Sequence, residues 1–286
     1  TRTVRDAAVM LDVLSGPAAG DPLRIAAPAR PWAELASETP GSLRIGLFTR
    51  SPYGGEVHGD CAVAVENTAR LLESLGHEVE EASPELDGDA LAQCYLAIYF
   101  GEVPVFMEAA LAAGAAKDDF EPDTRLLAEL GRSFPLPEYV RMRQQWNAFS
   151  RALGQYFDHY DLYLCPTTAQ PPARIGELDL SPAMQRVSRL LVRARAGGLM
   201  LKSGMVEQLA MESLARTPFT QLANLTGTPA ISLPLGWSGE GLPVGVQFGA
   251  PHGEEGRLLQ LAAQLEEATP WYGRYESLWQ RGIGQE

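Results

Sequence analysis

The side chains that most often carry chemistry are scattered along this sequence of 286 residues. His58, His77, His159 and His252 each lack a second histidine four residues away, so none has the spacing with which one helix face presents two metal ligands. We expect these side chains to be solvated or to cap helices. The sequence therefore predicts no metal site, and nothing in it predicts an organic cofactor.

Two other arrangements have the residue types of acid–base or nucleophilic catalysis. Lys202 and Ser203 are adjacent, and a neutral Lys can activate a Ser, but neighbours on one element rarely point the same way. The pairs Asp118–Asp119 and Glu266–Glu267 lie in helical patterns and are predicted to face solvent. The sequence contains no G-x-S-x-G, G-x-x-x-x-G-K-[ST] or G-x-G-x-x-G motif. Residue chemistry alone predicts no complete catalytic site.

A loop that follows a short apolar strand is the candidate for a substrate pocket. The strand is predicted over residues 161–165 and ends at Pro166. Ligands of open α/β sheets bind beyond the carboxyl ends of the strands, so we expect Thr167 and Thr168 to face the cleft. Cys165 is a candidate for the pocket wall rather than a nucleophile, because free cysteines are more often small buried hydrophobes. The alternative is a strand ended by Pro166 whose neighbouring hydroxyls cap the turn.

The composition is that of a folded protein with an acidic surface. Apolar residues make up 45% and charged residues 21%, which excludes a disordered chain. A formal net charge of −13 argues against nucleic acid and anionic membrane surfaces as partners. No window holds eighteen uninterrupted apolar residues, so no membrane span is predicted. Three cysteines are too few for a disulfide framework and suit a reducing cytoplasm.

Hydrophobic periodicity predicts an α/β framework for these residues. At the first end, helices over 4–14 and 60–75 and strands over 43–48 and 77–80 include a strand–helix–strand unit with a parallel pair. At the other end we predict, in chain order, a helix over 218–225, strands over 230–234 and 244–248, and a helix over 257–267. Residues from about 86 to 216 are predicted to form a mainly helical insertion, with breaks near Gly114 and at 134–137.

Three stretches, in this order, resemble the amidase signature family. Residues 1–16 (TRTVRDAAVMLDVLSG) are similar to its "RTVRDAA…LDVLAG" helix, and residues 161–167 (DLYLCPT) resemble its "D-x-L-L-x-P-T" strand and loop. Residues 217–234 (TPFTQLANLTGTPAISLP) with 241–247 (GLPVGVQ) are close to its "N-L-T-G-x-P-A-I-S-x-P…G-L-P-V-G-V-Q". In this last motif, Gly227 is expected to permit a turn, and Pro229 and Pro234 to bracket a short strand.

The resemblance implies an α/β/α layered fold whose mixed sheet is flanked by helices, and residues 1–286 would be the C-terminal part of one such domain. It also implies an amide hydrolase with a Ser nucleophile, a second Ser at a cis peptide bond and a Lys, and without a cofactor. The family places these residues before the helix that opens this sequence. We therefore expect no catalytic residue in this chain and a small-molecule amide as substrate, with the N-terminal half of the domain as partner.

Two alternatives to the hydrolase remain open at this point. The chain could belong to the A subunit of a tRNA-dependent amidotransferase, or it could be a non-catalytic remnant that binds a partner. A homodimer is a further expectation. The strands at 45–48 and 230–233 carry apolar residues on both faces and are predicted to be interior strands, so without its other half this chain should expose an apolar patch larger than the roughly 300–600 Å² of single soluble chains.

Overall fold

Five strands form one mixed sheet in the computed structural model, which describes residues 1–21, 25, 27–202 and 211–283. In chain order the strands are β1 (Arg44–Leu47), β2 (Glu78–Glu81), β3 (Leu162–Pro166), β4 (Ala230–Trp237) and β5 (Pro243–Gly249). Their order in the sheet is β2-β1-β3-β5-β4. β1 pairs in parallel with β2 and β3, and β5 pairs antiparallel with β3 and β4. The predicted mixed sheet and its parallel strand–helix–strand unit are confirmed.

Helices cover both faces of this sheet. Those before β3 are α1 (Val4–Leu14), α2 (Trp32–Leu35), α3 (Gly59–Ser74), α4 (Gly88–Ala112), α5 (Pro122–Ser133) and α6 (Leu136–Phe157). Those after β3 are α7 (Pro182–Arg193), α8 (Gly197–Lys202), α9 (Gln221–Thr226), α10 (Glu255–Ala268) and α11 (Tyr272–Ile283). Both predicted breaks in the long helical region are confirmed. Periodicity missed α2, which lies in a Pro-rich stretch, and α11.

Local hydrogen bonds explain where several of these helices begin and end. Thr3 Oγ1 accepts from the backbone N–H of Asp6 at the start of α1, and Asp87 caps α4 in the same way through Ala90. Gly227 ends α9 with φ of 70°, in the left-handed region that a residue without Cβ adopts at low cost. The turn that was expected at Gly227 is confirmed.

Strand β3 lies at the centre of the molecule because it is buried on both faces. Its alternate side chains Leu162 and Leu164 enter an apolar core with α3 and α10, whereas Tyr163 and Cys165 enter a second core with α4, α6 and α9. A strand with two buried faces carries a continuous apolar run instead of an alternating one. The α/β/α layering implied by the family is confirmed, and β3 forms its middle layer although it lies within residues 86–216.

Strand β4 differs from the prediction in two respects. It forms one edge of the five-stranded sheet, so within the described residues it is not the interior strand that residues 230–233 predicted. It also continues past Pro234 to Trp237, with a register shift between Leu233 and Gly236. A Pro lacks the N–H that a ladder needs and is tolerated at a sheet edge or an irregularity, and β4 supplies both conditions.

Helix α4 is long and apolar enough, by length and composition alone, to cross a membrane. Core helices of folded proteins pass the same test. Here α4 packs against α5 and α6, and its Leu91, Cys94 and Phe100 side chains are buried. The fold therefore uses α4 as an interior helix.

Candidate functional site

The loop that leaves β3 is bonded directly to the hairpin formed by β4 and β5. The backbone N–H of Thr167 donates to the carbonyl oxygen of Gly245 at 3.1 Å, which extends the β3–β5 pairing by one residue. The hydroxyls of Thr167 and Ser232 lie 2.6 Å apart and form a hydrogen bond. Two residues that are 65 positions apart in sequence therefore form one hydroxyl pair at the end of β3.

Gly245 makes this hydroxyl pair possible. A Cβ at position 245 would lie 2.7 Å from the side-chain oxygens of both Ser232 and Thr167, closer than carbon and oxygen approach without a bond. The glycine is required by the close approach of two side chains, which its own local sequence does not reveal.

Ser232 and Gly245 line an open cleft with a volume of about 380 Å³. The opposite wall is formed by the start of the chain, from Thr1 to Val4, and by Trp271. That wall is held in place because Val4 N–H donates to Glu266 and the indole N–H of Trp271 donates to the carbonyl oxygen of Arg2, at 3.1 and 2.8 Å.

The polar groups of this cleft can bind a substrate but cannot by themselves break an amide bond. A hydroxyl both donates and accepts, so the Thr167–Ser232 pair suits an amide, which presents an N–H and a carbonyl. Arg2 is the cation among the lining residues, and its guanidinium also lies 6.0 Å from the ring of Trp279. The lining residues include no Lys, His or carboxylate that could take a proton from Ser232. The arrangement is one for binding and orientation.

The three pocket residues expected from the sequence occupy different environments. Thr167 borders the cleft through its bond to Ser232. The Thr168 hydroxyl donates to the carbonyl oxygen of Gln170 at 2.8 Å and closes a local turn. Cys165 is fully buried, and the amide N–H of Gln247 lies 3.5 Å from its sulfur. Burial raises the pKa of the Cys165 thiol well above its ordinary value, which leaves the thiol protonated and unreactive at neutral pH.

The other groups singled out in the sequence have structural roles where they are described. Asp118 pairs with Arg125 at 2.7 Å, and Glu266 holds the first turn of α1. His77 is buried between the N–H of Leu43 and the side chain of Gln264. Lys202 ends α8 and Ser203 lies outside the described residues. Among the described residues, no group of three or more His, Cys, Asp or Glu side chains could hold a metal ion.

Sequence reasoning missed Ser232 and Arg2 as cleft residues. Ser232 lies within the motif that identified the family, but there it was interpreted as part of the scaffold. Its place in A-I-S-L-P gives a weak signal, since a polar side chain in an otherwise apolar strand needs a hydrogen-bond partner.

Comparison with known proteins gives one consistent family. The family model described as Amidase matches residues 1–259. The chain is 34% identical over 285 residues to the 6-aminohexanoate-cyclic-dimer hydrolase of Pseudomonas sp. (strain NK87), a match that covers 97% of this chain and 54% of that protein. A solved structure of 6-aminohexanoate cyclic dimer hydrolase complexed with substrate superimposes with a TM-score of 0.77 at 32% identity, covering 95% of this chain and 54% of that one.

A more distant structure shows the same fold only. The glutamyl-tRNA(Gln) amidotransferase of Thermotoga maritima has a counterpart in its A subunit, which matches with a TM-score of 0.61 at 22% identity, over 95% of this chain and 52% of that one. The chain spans about half the length of the curated relatives it matches.

Proposed function

This chain belongs to the amidase family, and on that premise we propose that it is part of an enzyme that hydrolyses a carboxamide to a carboxylate and an amine or ammonia. The observation that carries the proposal is the family match over residues 1–259. The reaction would proceed through an acyl-enzyme on a Ser supplied by a part of the protein that precedes these residues, with a second Ser and a Lys as its proton relay.

Within that enzyme, the residues of this chain would position the amide. The Thr167–Ser232 hydroxyl pair would donate to the substrate carbonyl or accept from its N–H, and Gly245 would leave the space in which the pair forms. Thr168 would support the loop through its bond to Gln170. Cys165 would contribute packing beneath the loop, since its side chain is fully buried.

The substrate would be a small amide, linear or cyclic. The cleft has room for a molecule of that size, at about 380 Å³, within the range of small-molecule sites. The net charge of −13 supports a cytoplasmic enzyme that binds neither nucleic acid nor an anionic membrane surface. A homodimer would be compatible with the open edge of β4, which presents unpaired backbone groups.

The test compares the complete protein with the 286-residue chain on a series of simple aryl amides. We expect turnover by the complete protein and none by the chain alone, because the described residues assemble no activated nucleophile. In the complete protein, Thr167→Val should lower kcat/KM, while Thr49→Val, on a loop outside the cleft, should leave it unchanged. Turnover by the 286-residue chain that Ser203→Ala abolishes would overturn the proposal and assign catalysis to Lys202 and Ser203.

The amidotransferase alternative has support from fold likeness alone, so hydrolysis is the function proposed. The non-catalytic alternative is separated by the same assay. A complete protein that folds cooperatively and turns over no amide in the series would support a binding role in place of catalysis.

A further inference from the structure

A smaller cavity lies beyond the carboxyl ends of the parallel strands β1 and β2. Its volume is about 170 Å³. Phe48 and Arg50, which follow β1, form one side, and Ser83, which follows β2, forms another. Leu91 of α4 and Phe219, just before α9, close it from the second apolar core. The cavity therefore lies where α/β sheets place their ligands, on the β1–β2 side of the sheet, whereas the hydroxyl cleft lies on the β4–β5 side.

The inner wall of this cavity is apolar and well packed. Leu91, Phe219 and Leu222 are almost fully buried, and the rings of Phe48 and Phe219 lie 6.2 Å apart in a tilted contact. Such a wall offers an organic molecule contact with carbon and offers inorganic ions no hydrogen bond. The ligand that fits must carry an apolar body.

The rim of the cavity is polar and cationic. Arg50 is exposed, and none of the ion pairs between described residues includes it. The Ser51 hydroxyl accepts from the N–H of Tyr53 at 3.2 Å and retains its own proton as a donor. Ser83 is exposed beside them. A guanidinium with hydroxyl donors beside it recognises a carboxylate, because the two N–H groups of its fork match the two oxygens.

We propose that this cavity binds a small monocarboxylic acid with an unbranched apolar chain. Its carboxylate would pair with Arg50 and accept from Ser51 or Ser83, and its chain would lie against Leu91 and Phe219. The volume equals that of about six liquid water molecules, which suits an acid about as long as hexanoate. The inference does not depend on the proposed hydrolysis, since binding requires no nucleophile.

The test is a ligand-observed NMR titration of hexanoate against the 286-residue chain and two methionine variants. Arg50→Met keeps most of the apolar stem and removes the charge. Arg70→Met is the matched control, because Arg70 lies on the exposed face of α3, 4.0 Å from Glu66 and outside the cavity. We expect Arg50→Met to weaken hexanoate binding by roughly tenfold or more, the effect of losing a charge-assisted hydrogen bond, and Arg70→Met to leave it unchanged.

Two further arms identify the chemistry that is recognised. Hexan-1-ol shares the chain without the charge and inorganic phosphate shares the charge without the chain, so both should bind more weakly than hexanoate. Leu86→Phe, which adds volume at the lining, should reduce hexanoate binding while the thermal melt stays cooperative. Equal binding of hexanoate by Arg50→Met and the parent chain would overturn the proposal, as would no binding by the parent or phosphate binding as tight as that of hexanoate. Loss of amidase activity in the complete protein would leave these outcomes unaffected.

Discussion

Gly245→Ala tests the structure at the hydroxyl pair. The new methyl would lie 2.7 Å from the side-chain oxygens of both Ser232 and Thr167, so the pair, now 2.6 Å apart, must separate. Overpacking in proteins costs about 1–3 kcal/mol. Here the cost should stay near the lower half of that range, because Ser232 is exposed and Thr167 is half-buried, and both hydroxyls can turn to water.

A double-mutant cycle isolates the proposed contact. Ser232→Ala alone removes one hydrogen bond and should cost about 0.5–1.5 kcal/mol. In the double variant, one of the two oxygens that the new methyl meets is gone, so the total loss should be smaller than the sum of the single losses by about 0.5 kcal/mol or more. The relief is partial because Thr167 remains, with its Cβ 3.0 Å from the added methyl.

Urea unfolding monitored by far-UV circular dichroism measures each free energy of unfolding. Gly239→Ala is the control, since a Cβ there has no heavy atom within 4 Å, and its effect should lie within about 0.5 kcal/mol. Strict additivity of Gly245→Ala and Ser232→Ala would refute the reasoning. So would a loss at Gly239 as large as the loss at Gly245.

Three further predictions concern thiols, a buried imidazole and the apolar surface. Burial raises the pKa of Cys61 and Cys94 to about 11 and that of Cys165 further, so a chromogenic disulfide reagent at pH 8 should titrate these thiols only after unfolding; because the raised values belong to the folded state, stability should be fully present below pH 9 and fall as the pH rises through about 11. His77→Phe leaves the N–H of Leu43, now 3.2 Å from Nδ1, without its acceptor, and should cost about 1–3 kcal/mol in urea unfolding; an unchanged midpoint would contradict this. Exposed side chains on α1, including Val13 and Leu14, and the open edge of β4 should make the isolated chain self-associate and bind an apolar-surface dye; a monodisperse monomer in light scattering with no dye signal would show that prediction to be wrong.

Much of the fold was determined by short-range sequence patterns. The apolar spacing from Val4 to Leu14 and the bracketing of α3 between two strands are local, and both appear in the structure as predicted. Gly227 and the proline-ended strand before Thr167 likewise determine backbone direction within a few residues. The family motifs are dense in Gly and Pro for the same reason, because such residues restrict local geometry wherever they occur.

The tertiary structure alone decided which side chains meet. Strand pairing places β5 between β3 and β4, and that order brings Ser232 to Thr167 across 65 residues. It also directs Cys165 into the second core, because alternate residues of a strand point to opposite faces and both faces of β3 are covered. Local patterns specify which residues form a strand, but the neighbours of that strand depend on burial summed over the whole sheet, which no short window of sequence contains.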